Sequence, residues 1–286
     1  MLENTFCHIP RVSVKTERKL WEAGVRTWGD ALLEDAPKVP RVKWETLKPQ
    51  LEESAAELHM GNARYFANLL PAREQWRLFP HFRHSLAYLD IETTGLGIGS
   101  DSISTISVYD GQKIRTYIQG ENLHEFELDI AAYDVLVTFN GKTFDLPFLR
   151  AALGIEFPQA HVDLRYVLSR LGYTGGLKRC EHLLGISRGE LDGVDGFMAV
   201  ALWKDYARRY NPRALDTLLA YNVEDVINLE TLFIIAYNQL LRETPFVETH
   251  TLPVPARPVN PYRPDPETVY RLKREVWWRF ADEQPA

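Results

Sequence analysis

Cysteine is almost missing from this chain: of 286 residues only Cys7 and Cys180 are cysteines. Two thiols give no disulfide framework and no cysteine-based metal site. Long apolar runs are lacking as well. No uninterrupted apolar stretch approaches the roughly 20 residues needed to span a bilayer, so no membrane span is expected. The start, Met1-Leu2-Glu3-Asn4-Thr5-Phe6, has neither the basic segment nor the apolar core of a secretory leader, and the cytoplasm is the expected location. A positive excess is also absent, since the net charge is −6. That argues mildly against a surface coated in basic patches, although binding follows local potential rather than the total. Carboxylates clustered to hold cations would pull the sum the same way. No internal repeat or low-complexity tract stands out. What is present, 45% hydrophobic and 25% charged residues, is the composition of an ordinary globular chain. Its length suits one large domain plus a smaller one.

Three zones follow from the order of signals. Residues 1–80 read as helical. Ser13 is placed to cap a helix through Lys15 to Trp21 that stops at Gly24. Thr27 with Asp30 three residues on is a shorter-acid version of the capping box. A third helix is expected from Trp44 to Met60, with Leu47, Leu51, Ala55 and Leu58 on one stripe. Residues 81–243 mix strand and helix signals. Leu86 to Leu89 leads into Asp90-Ile91-Glu92 as a buried strand. Ser104–Tyr109 and Lys113–Ile118 flank Asp110-Gly111, a hairpin turn pair. Val135–Phe139 is another buried strand, preceded by a helical stretch around Glu125–Tyr133, and helices dominate from Pro147 onward. This order predicts an α/β fold, a mixed sheet flanked by helices, behind a small helical N-terminal domain. Residues 244–286 open with a proline-rich connector, Thr244–Pro264, expected to run extended over the surface. Asp265 and Pro266 then begin a last helix ending near Phe280.

Acids at particular positions carry the chemistry. Asp90 and Glu92 lie two apart on a predicted strand, so both carboxylates share one face and are close enough to share a cation. The alternative is a strand end whose acids are simply solvated, but a buried strand rarely carries two unpartnered acids, because desolvating them is costly. Asp145 follows the turn Asn140-Gly141 and precedes Leu146-Pro147, the place of an ordinary helix cap. Capping and metal ligation can coexist on one carboxylate, which has two oxygens. Tyr221 and Asp225 are four apart on a predicted helix and project from one face, with Leu218, Leu229 and Leu232 as its packing stripe. Each signal alone is weak; together, in this order, they are specific.

The stretch Leu89-Asp90-Ile91-Glu92-Thr93-Thr94-Gly95 resembles the first motif of the DnaQ-like 3′–5′ exonucleases. Asn140 to Asp145 resembles the second, and Tyr221 to Asp225 the third, in the Tyr-x-x-x-Asp form that marks the DEDDy group. A closer resemblance is to the YprB-type ribonuclease H-like domain family. Its cues are His161-Val162-Asp163-Leu164, then Arg188-Gly189-Glu190-Leu191-Asp192 with Asp195-Gly196, then the tyrosine-containing helix. The resemblance covers about residues 82–240. It implies an RNase H-like fold and a metal-dependent nuclease cutting DNA or RNA from the 3′ end with two Mg²⁺ or Mn²⁺ ions. Such ions, about 3.5–4 Å apart, bring the attacking oxygen into line and stabilise the leaving one. Hard cations want oxygen ligands, which suits Asp and Glu. By the family pattern Asp90 bridges both ions, and Glu92 and Asp225 hold the one that activates water. Tyr221 orients that water, and Asp145 reaches the second ion largely through bound waters. A structure-selective endonuclease and a non-catalytic nucleic-acid-binding module are the alternatives on the same fold.

Further residues have a functional and a structural reading. Thr93, Asn140, Lys142, Arg165, Lys178, Arg179 and Arg188 are candidate nucleic-acid contacts, and Arg170 belongs to the same basic group. Scattered surface charge is the alternative for the cations, a plain turn residue for Asn140, and an ion pair with Asp192 for Arg188. His161 and Asp163 read as a buried, satisfied hydrogen-bonding pair, or as support for the site. The segment Phe6–Leu33 resembles the helix-hairpin-helix-like unit that often precedes this nuclease domain, but Ile9-Pro10-Arg11-Val12-Ser13-Val14 lacks the glycines that bind phosphate, which favours a packing role. Arg271, Lys273, Arg274 and Arg279 interleave with Trp277, Trp278 and Phe280 in the last helix, a pattern that either stacks on single strands or docks on the chain's own domain. Docking is the favoured reading.

Overall fold

The computed structural model describes the backbone of residues 1–282 and the side chains of residues 1–275. Local capping sets the N-terminal helices. The Ser13 hydroxyl accepts from the Thr16 N–H and opens α1 (Val14–Glu22), with Gly24 at φ +92° past its end. The Thr27–Asp30 capping box is complete and opens α2 (Trp28–Leu32). α3 (Trp44–His59) buries Leu47, Leu51 and Leu58 as the pattern predicts, but the fourth member of the stripe is Ser54. Ala55 is exposed instead. Ser54 is tolerated inside because its hydroxyl donates to the Gln50 carbonyl at 2.7 Å and meets His8 Nε2 at 2.9 Å. α4 (Ala63–Leu69) and α5 (Phe79–Phe82) lead to the sheet.

A short repeat, against the expectation of none, joins sequence to backbone. Pro10-Arg11-Val12 and Pro40-Arg41-Val42 make the same turn, with Arg11 at φ +71° and Arg41 at φ +70°. Each turn feeds a helix, and each closes through a hydrogen bond, Val12 N–H to Ile9 O and Val42 N–H to Val39 O. Arginine stands where the left-handed backbone would favour glycine. Beneath them Arg77 pairs with Glu17 at 2.8 Å and Glu74 at 2.9 Å, all three at most 2% exposed, tying α1 to the 3₁₀ segment Ala72–Leu78. Charges this deep persist only when paired.

Five strands form one mixed sheet in the order β3-β2-β1-β4-β5: β1 (Leu86–Thr93), β2 (Ile103–Tyr109), β3 (Ile114–Ile118), β4 (Val135–Thr138) and β5 (Ala160–Asp163). β1, β2 and β3 are an antiparallel meander, while β4 and β5 lie parallel to β1 and to each other. The β2–β3 loop is longer than a two-residue turn. Tyr109 pairs with Ile114, and the Asp110 carboxylate holds the intervening residues through the Gln112 and Lys113 N–H groups. Both faces of β1 are covered, which explains its unbroken apolar run. Ala87, Leu89 and Ile91 pack with Phe126 and Ile130 of α6 (Phe126–Ile130) and Phe148 and Leu149 of α7 (Asp145–Leu153). Leu86 and Tyr88 point the other way, into a cluster that runs from the N-terminal helices to the long helix described next.

After β5 come α8 (Leu164–Arg170), α9 (Leu177–Leu183), α10 (Gly196–Arg209) and the 30-residue α11 (Pro212–Leu241). α11 is buried along most of its length and packs on β1 and β2. The proline-rich connector holds a short helix, α12 (Val247–His250), and is stitched to α11 rather than loosely laid on the surface. Leu252 exchanges hydrogen bonds with the Asn238 amide, the Asn260 amide donates to the Ala220 carbonyl, and the Asp265 N–H donates to the Thr217 hydroxyl. α13 (Pro266–Asp282) docks on α10 by Val269 and Leu272, and by Arg271 forked onto Asp205. The side chains of Trp277, Trp278, Arg279 and Phe280 lie outside the described residues. Among the described residues no helix is long and apolar enough to cross a membrane.

Candidate active site

Period-two alternation on β1 turns Asp90 and Glu92 toward α11, and helical periodicity brings Asp225 to meet them. One oxygen from each of Asp90, Glu92 and Asp225 lies within 4.8 Å of the other two. Asp145 is not one of these three, but its charge acts on Asp90 and Glu92. It is the first residue of α7 rather than its cap, is 3% exposed, and accepts the Ile91 N–H at 3.3 Å. The loop before it is held tightly. Asn140 takes φ +70°, and Gly141 approaches the Thr138 side chain so closely that a Cβ there would sit 2.3 Å from its hydroxyl oxygen. Only glycine fits such an approach.

Loss of solvent dominates the electrostatics. Burial first, then Asp225, Asp145 and Glu92, push the Asp90 carboxyl well above its usual range. Burial, then Asp225 and Asp145, do the same to Glu92. Burial raises Asp225 too, opposed by Arg188. Asp145 is pushed up to about 7, mainly by burial and against the hydrogen bonds from backbone N–H groups. Acids in this state favour any cation that replaces their missing solvent. Glu92 has no hydrogen-bond donor among the described residues, while Asp225 Oδ1 faces the Arg188 guanidinium as an ion pair. Asp90, Glu92 and Asp225 thus offer the hard oxygen set that a divalent cation takes.

Asn222 is a site residue that the motifs did not single out. Its amide N–H donates to Asp90 Oδ2 at 2.7 Å, and its carbonyl oxygen accepts from Ser107 and Thr105 of β2 at 2.8 and 3.1 Å. Because hydroxyls donate and a carboxylate accepts, this amide has one sensible orientation. The signal was there: Thr105 and Ser107 share one face of a fully buried strand, and buried hydroxyls need a partner.

Tyr221 lies one turn before Asp225, and its hydroxyl makes no hydrogen bond among the described residues. Burial, then Asp225, hold the phenol far above its ordinary range. Lys178 Nζ sits 4.6 Å from the Tyr221 ring centre and bonds the Val194 carbonyl. Arg188 is buried and pairs with Glu181 at 2.5 Å and with Asp225, not with Asp192. Both cations are candidate phosphate contacts by sequence, with scattered surface charge as the alternative. Their positions, Arg188 buried beside Asp225 and Lys178 half-buried over the Tyr221 ring, make them part of the site wall, where carboxylates, carbonyls and ring faces compensate lost water. Arg170 likewise is spent on Glu74 and Glu243.

His161 and Asp163 do not bond each other. His161 Nε2 meets the Thr138 hydroxyl at 2.9 Å, while the Asp163 carboxylate accepts the N–H groups of Asn140, Lys142 and Arg165 and so moulds the loop that leads to Asp145. The Asn140 side-chain oxygen Oδ1 accepts from the Thr143 hydroxyl and from Arg165, and the Thr93 hydroxyl donates to the Gly95 carbonyl at 2.5 Å. Lys142, Arg165 and Arg179 are exposed.

The chain is 24% identical over 229 residues to the uncharacterized protein YprB of Bacillus subtilis strain 168. The match takes in 71% of this chain and 54% of that protein, so the chain spans about half the length of the curated relative it matches. Among solved structures, Brucella melitensis NrnC with bound Mg²⁺ is similar at a TM-score of 0.40 and 23% identity, over 58% of this chain and 78% of that one. The same protein bound to pGG gives 0.41 and 18%, over 72% and 91%. The family B DNA polymerase of Pyrobaculum calidifontis gives 0.41 and 19%, over 55% and 24%. The sequence pattern of the RNase_H superfamily matches residues 87–237, a span that opens three residues before Asp90 and closes twelve after Asp225. A match over more than half the chain, on the mixed sheet and helices described above, makes this protein a member of the RNase H superfamily.

Proposed function

We propose that the protein is a DEDDy-type 3′–5′ exonuclease, close to the YprB-type nuclease domains, that hydrolyses single-stranded or 3′-ended DNA or RNA with two Mg²⁺ or Mn²⁺ ions. Residues 81–243 are its catalytic unit. The observation that carries the reading is the meeting of Asp90, Glu92 and Asp225 within 4.8 Å, with Tyr221 one helical turn from Asp225. Bound there, divalent ions supply a nucleophile at neutral pH and a counter-charge for the leaving oxygen. The chain's own groups do the rest. Asp90, Glu92 and Asp225 hold the ions, and Asp145 serves from the start of α7. Asn222 fixes the rotamer of Asp90 before substrate arrives, so no reorganisation is needed at the moment of reaction. Tyr221, kept protonated by burial, cannot be a base; its free hydroxyl orients the attacking water. Lys142, Arg165 and Arg179 remain available to the substrate's phosphates.

Incubating the full chain with 5′-labelled single-stranded DNA and RNA plus Mn²⁺ tests the reading. A ladder shortening from the 3′ end is the expected result. A discrete internal cut would instead mean an endonuclease, and binding without any cut a non-catalytic module. Tyr221→Phe should lower the single-turnover rate roughly ten- to a hundredfold, the worth of one orienting hydrogen bond of about 1–3 kcal/mol. Metal affinity should barely change, since no ligand is lost. A variant as fast as the parent across a Mn²⁺ titration would reduce Tyr221 to packing.

A further inference from the structure

Arg188 places a buried positive charge against the carboxylate trio and is held from behind. Its Nε and Nη2 fork onto the two Glu181 oxygens at 2.5 and 2.8 Å, and Nη2 also reaches Asp225 Oδ1 as an ion pair. Arg188 Nη1 is buried with no acceptor among the described residues. Glu181 is itself fixed. The Asn228 amide donates to it at 2.9 Å and also reaches Glu224, which pairs with Arg257 from the connector after α12. The guanidinium therefore sits at the end of a rigid buried chain, pressed against one ligand of the candidate metal site and left partly unsatisfied.

Resting on the reading of Asp90, Glu92 and Asp225 as metal ligands, we propose that Arg188 is a tethered counter-cation that holds Asp225 in the metal-free protein and sets the affinity for divalent ions. In the metal-free protein it offsets the repulsion among three crowded carboxylates and keeps Asp225 aimed at its partners. A divalent ion must then bind against a fixed positive charge, so Arg188 weakens metal binding while it stabilises the site that receives it. The fork onto Glu181 suits this role: an untethered lysine would swing to solvent, whereas a guanidinium gripped at two nitrogens cannot. Arg188 is a positioning residue, acting through Asp225 and not on the substrate.

Calorimetric Mn²⁺ titration of the full chain, with melting curves in EDTA, tests this. Arg188→Met should bind Mn²⁺ at least about tenfold more tightly than the parent, the change expected from removing one positive charge beside a dication even at water-like screening. Its melting temperature in EDTA should drop, and saturating Mn²⁺ should recover it. Arg188→Met also leaves Glu181 buried and unpaired, so the double variant Glu181→Gln/Arg188→Met is the safeguard against misfolding. It should shift affinity in the same direction by a smaller factor. Arg188→Lys keeps the charge but not the two-nitrogen grip and should fall between the parent and Arg188→Met. If the parent binds Mn²⁺ and neither methionine variant binds it more tightly, the role of Arg188 falls while the metal site stands. If the parent binds no Mn²⁺ at all, the metal reading falls and takes this one with it.

Discussion

Asp90→Asn is expected to abolish phosphodiester hydrolysis and, at the same time, to make the metal-free protein more stable. The loss should reach several orders of magnitude, because catalysis at such a site is mostly electrostatic and the variant loses a charged ligand at its centre. The gain has a separate cause. Asp90 is raised well above the usual carboxylate range by burial, then by Asp225, Asp145 and Glu92, so in the metal-free protein its charge is a burden on the fold. An amide keeps the hydrogen bond from Asn222, whose N–H meets Asp90 Oδ2, and places neutral N–H donors near Glu92 and Asp225. A raised carboxylate binds its proton more tightly when folded than when unfolded. It therefore contributes stability that is present below the unfolded value, about 3.9, and is lost as pH rises through the folded one. For Asp145 that window ends at about 7. His8 and His161, lowered to about 4 and about 3 by loss of solvent, act in the opposite direction and lose stability as pH falls below about 6.5. They are common to parent and variant and cancel in the comparison. Melting curves in EDTA should show Asp90→Asn above the parent at pH 8, with the gap narrowing toward pH 5. A variant that melts below the parent at pH 8, or that retains near-normal turnover, removes Asp90 from the centre of the site.

Metal removal is the second large effect. Exhaustive chelation should eliminate turnover, and Mg²⁺ or Mn²⁺ should restore it. Ca²⁺ should bind yet restore little, because it takes more ligands at longer distances, about 2.3–2.6 Å, and spreads the reacting oxygens out of line. Stability should follow the same ions. At about a hundred times Kd a ligand that binds only the folded state contributes roughly 2.7 kcal/mol, a rise on the order of 5 °C in melting temperature for a chain of this size. The rise should be larger at pH 8 than at pH 5, since ions and protons compete for Asp90, Glu92 and Asp225, all with raised pKa values. Full activity after complete demetallation would contradict the proposed chemistry outright.

The chain's local grammar was legible without coordinates. The caps at Ser13 and Thr27, the buried run into Asp90 and Glu92, and the i,i+4 pairing of Tyr221 with Asp225 depend on residues at most a few positions apart, where backbone periodicity alone sets direction. The mixed sheet with its antiparallel opening followed from the order of those elements. The small errors were local too. Ala55 was a plausible member of a helical stripe until His8, 46 residues before Ser54 in sequence, gave that hydroxyl a reason to be inside. The shared backbone of the twin Pro-Arg-Val turns is not a local signal, because arginine is not the residue that a left-handed backbone favours.

Charges were a different matter. By itself the sequence determined that Asp90 and Glu92 share a strand face, that Tyr221 and Asp225 share a helix face, and which oxygen-rich chemistry such residues can support. Only the tertiary structure decided that these two faces meet, that Asn222 clamps Asp90 from 132 residues away, and that Arg188 faces Asp225 and Glu181 instead of Asp192. The physical reason is that the direction of a side chain follows from its own backbone, whereas the meaning of a charge follows from what it faces and from how much water the fold leaves around it.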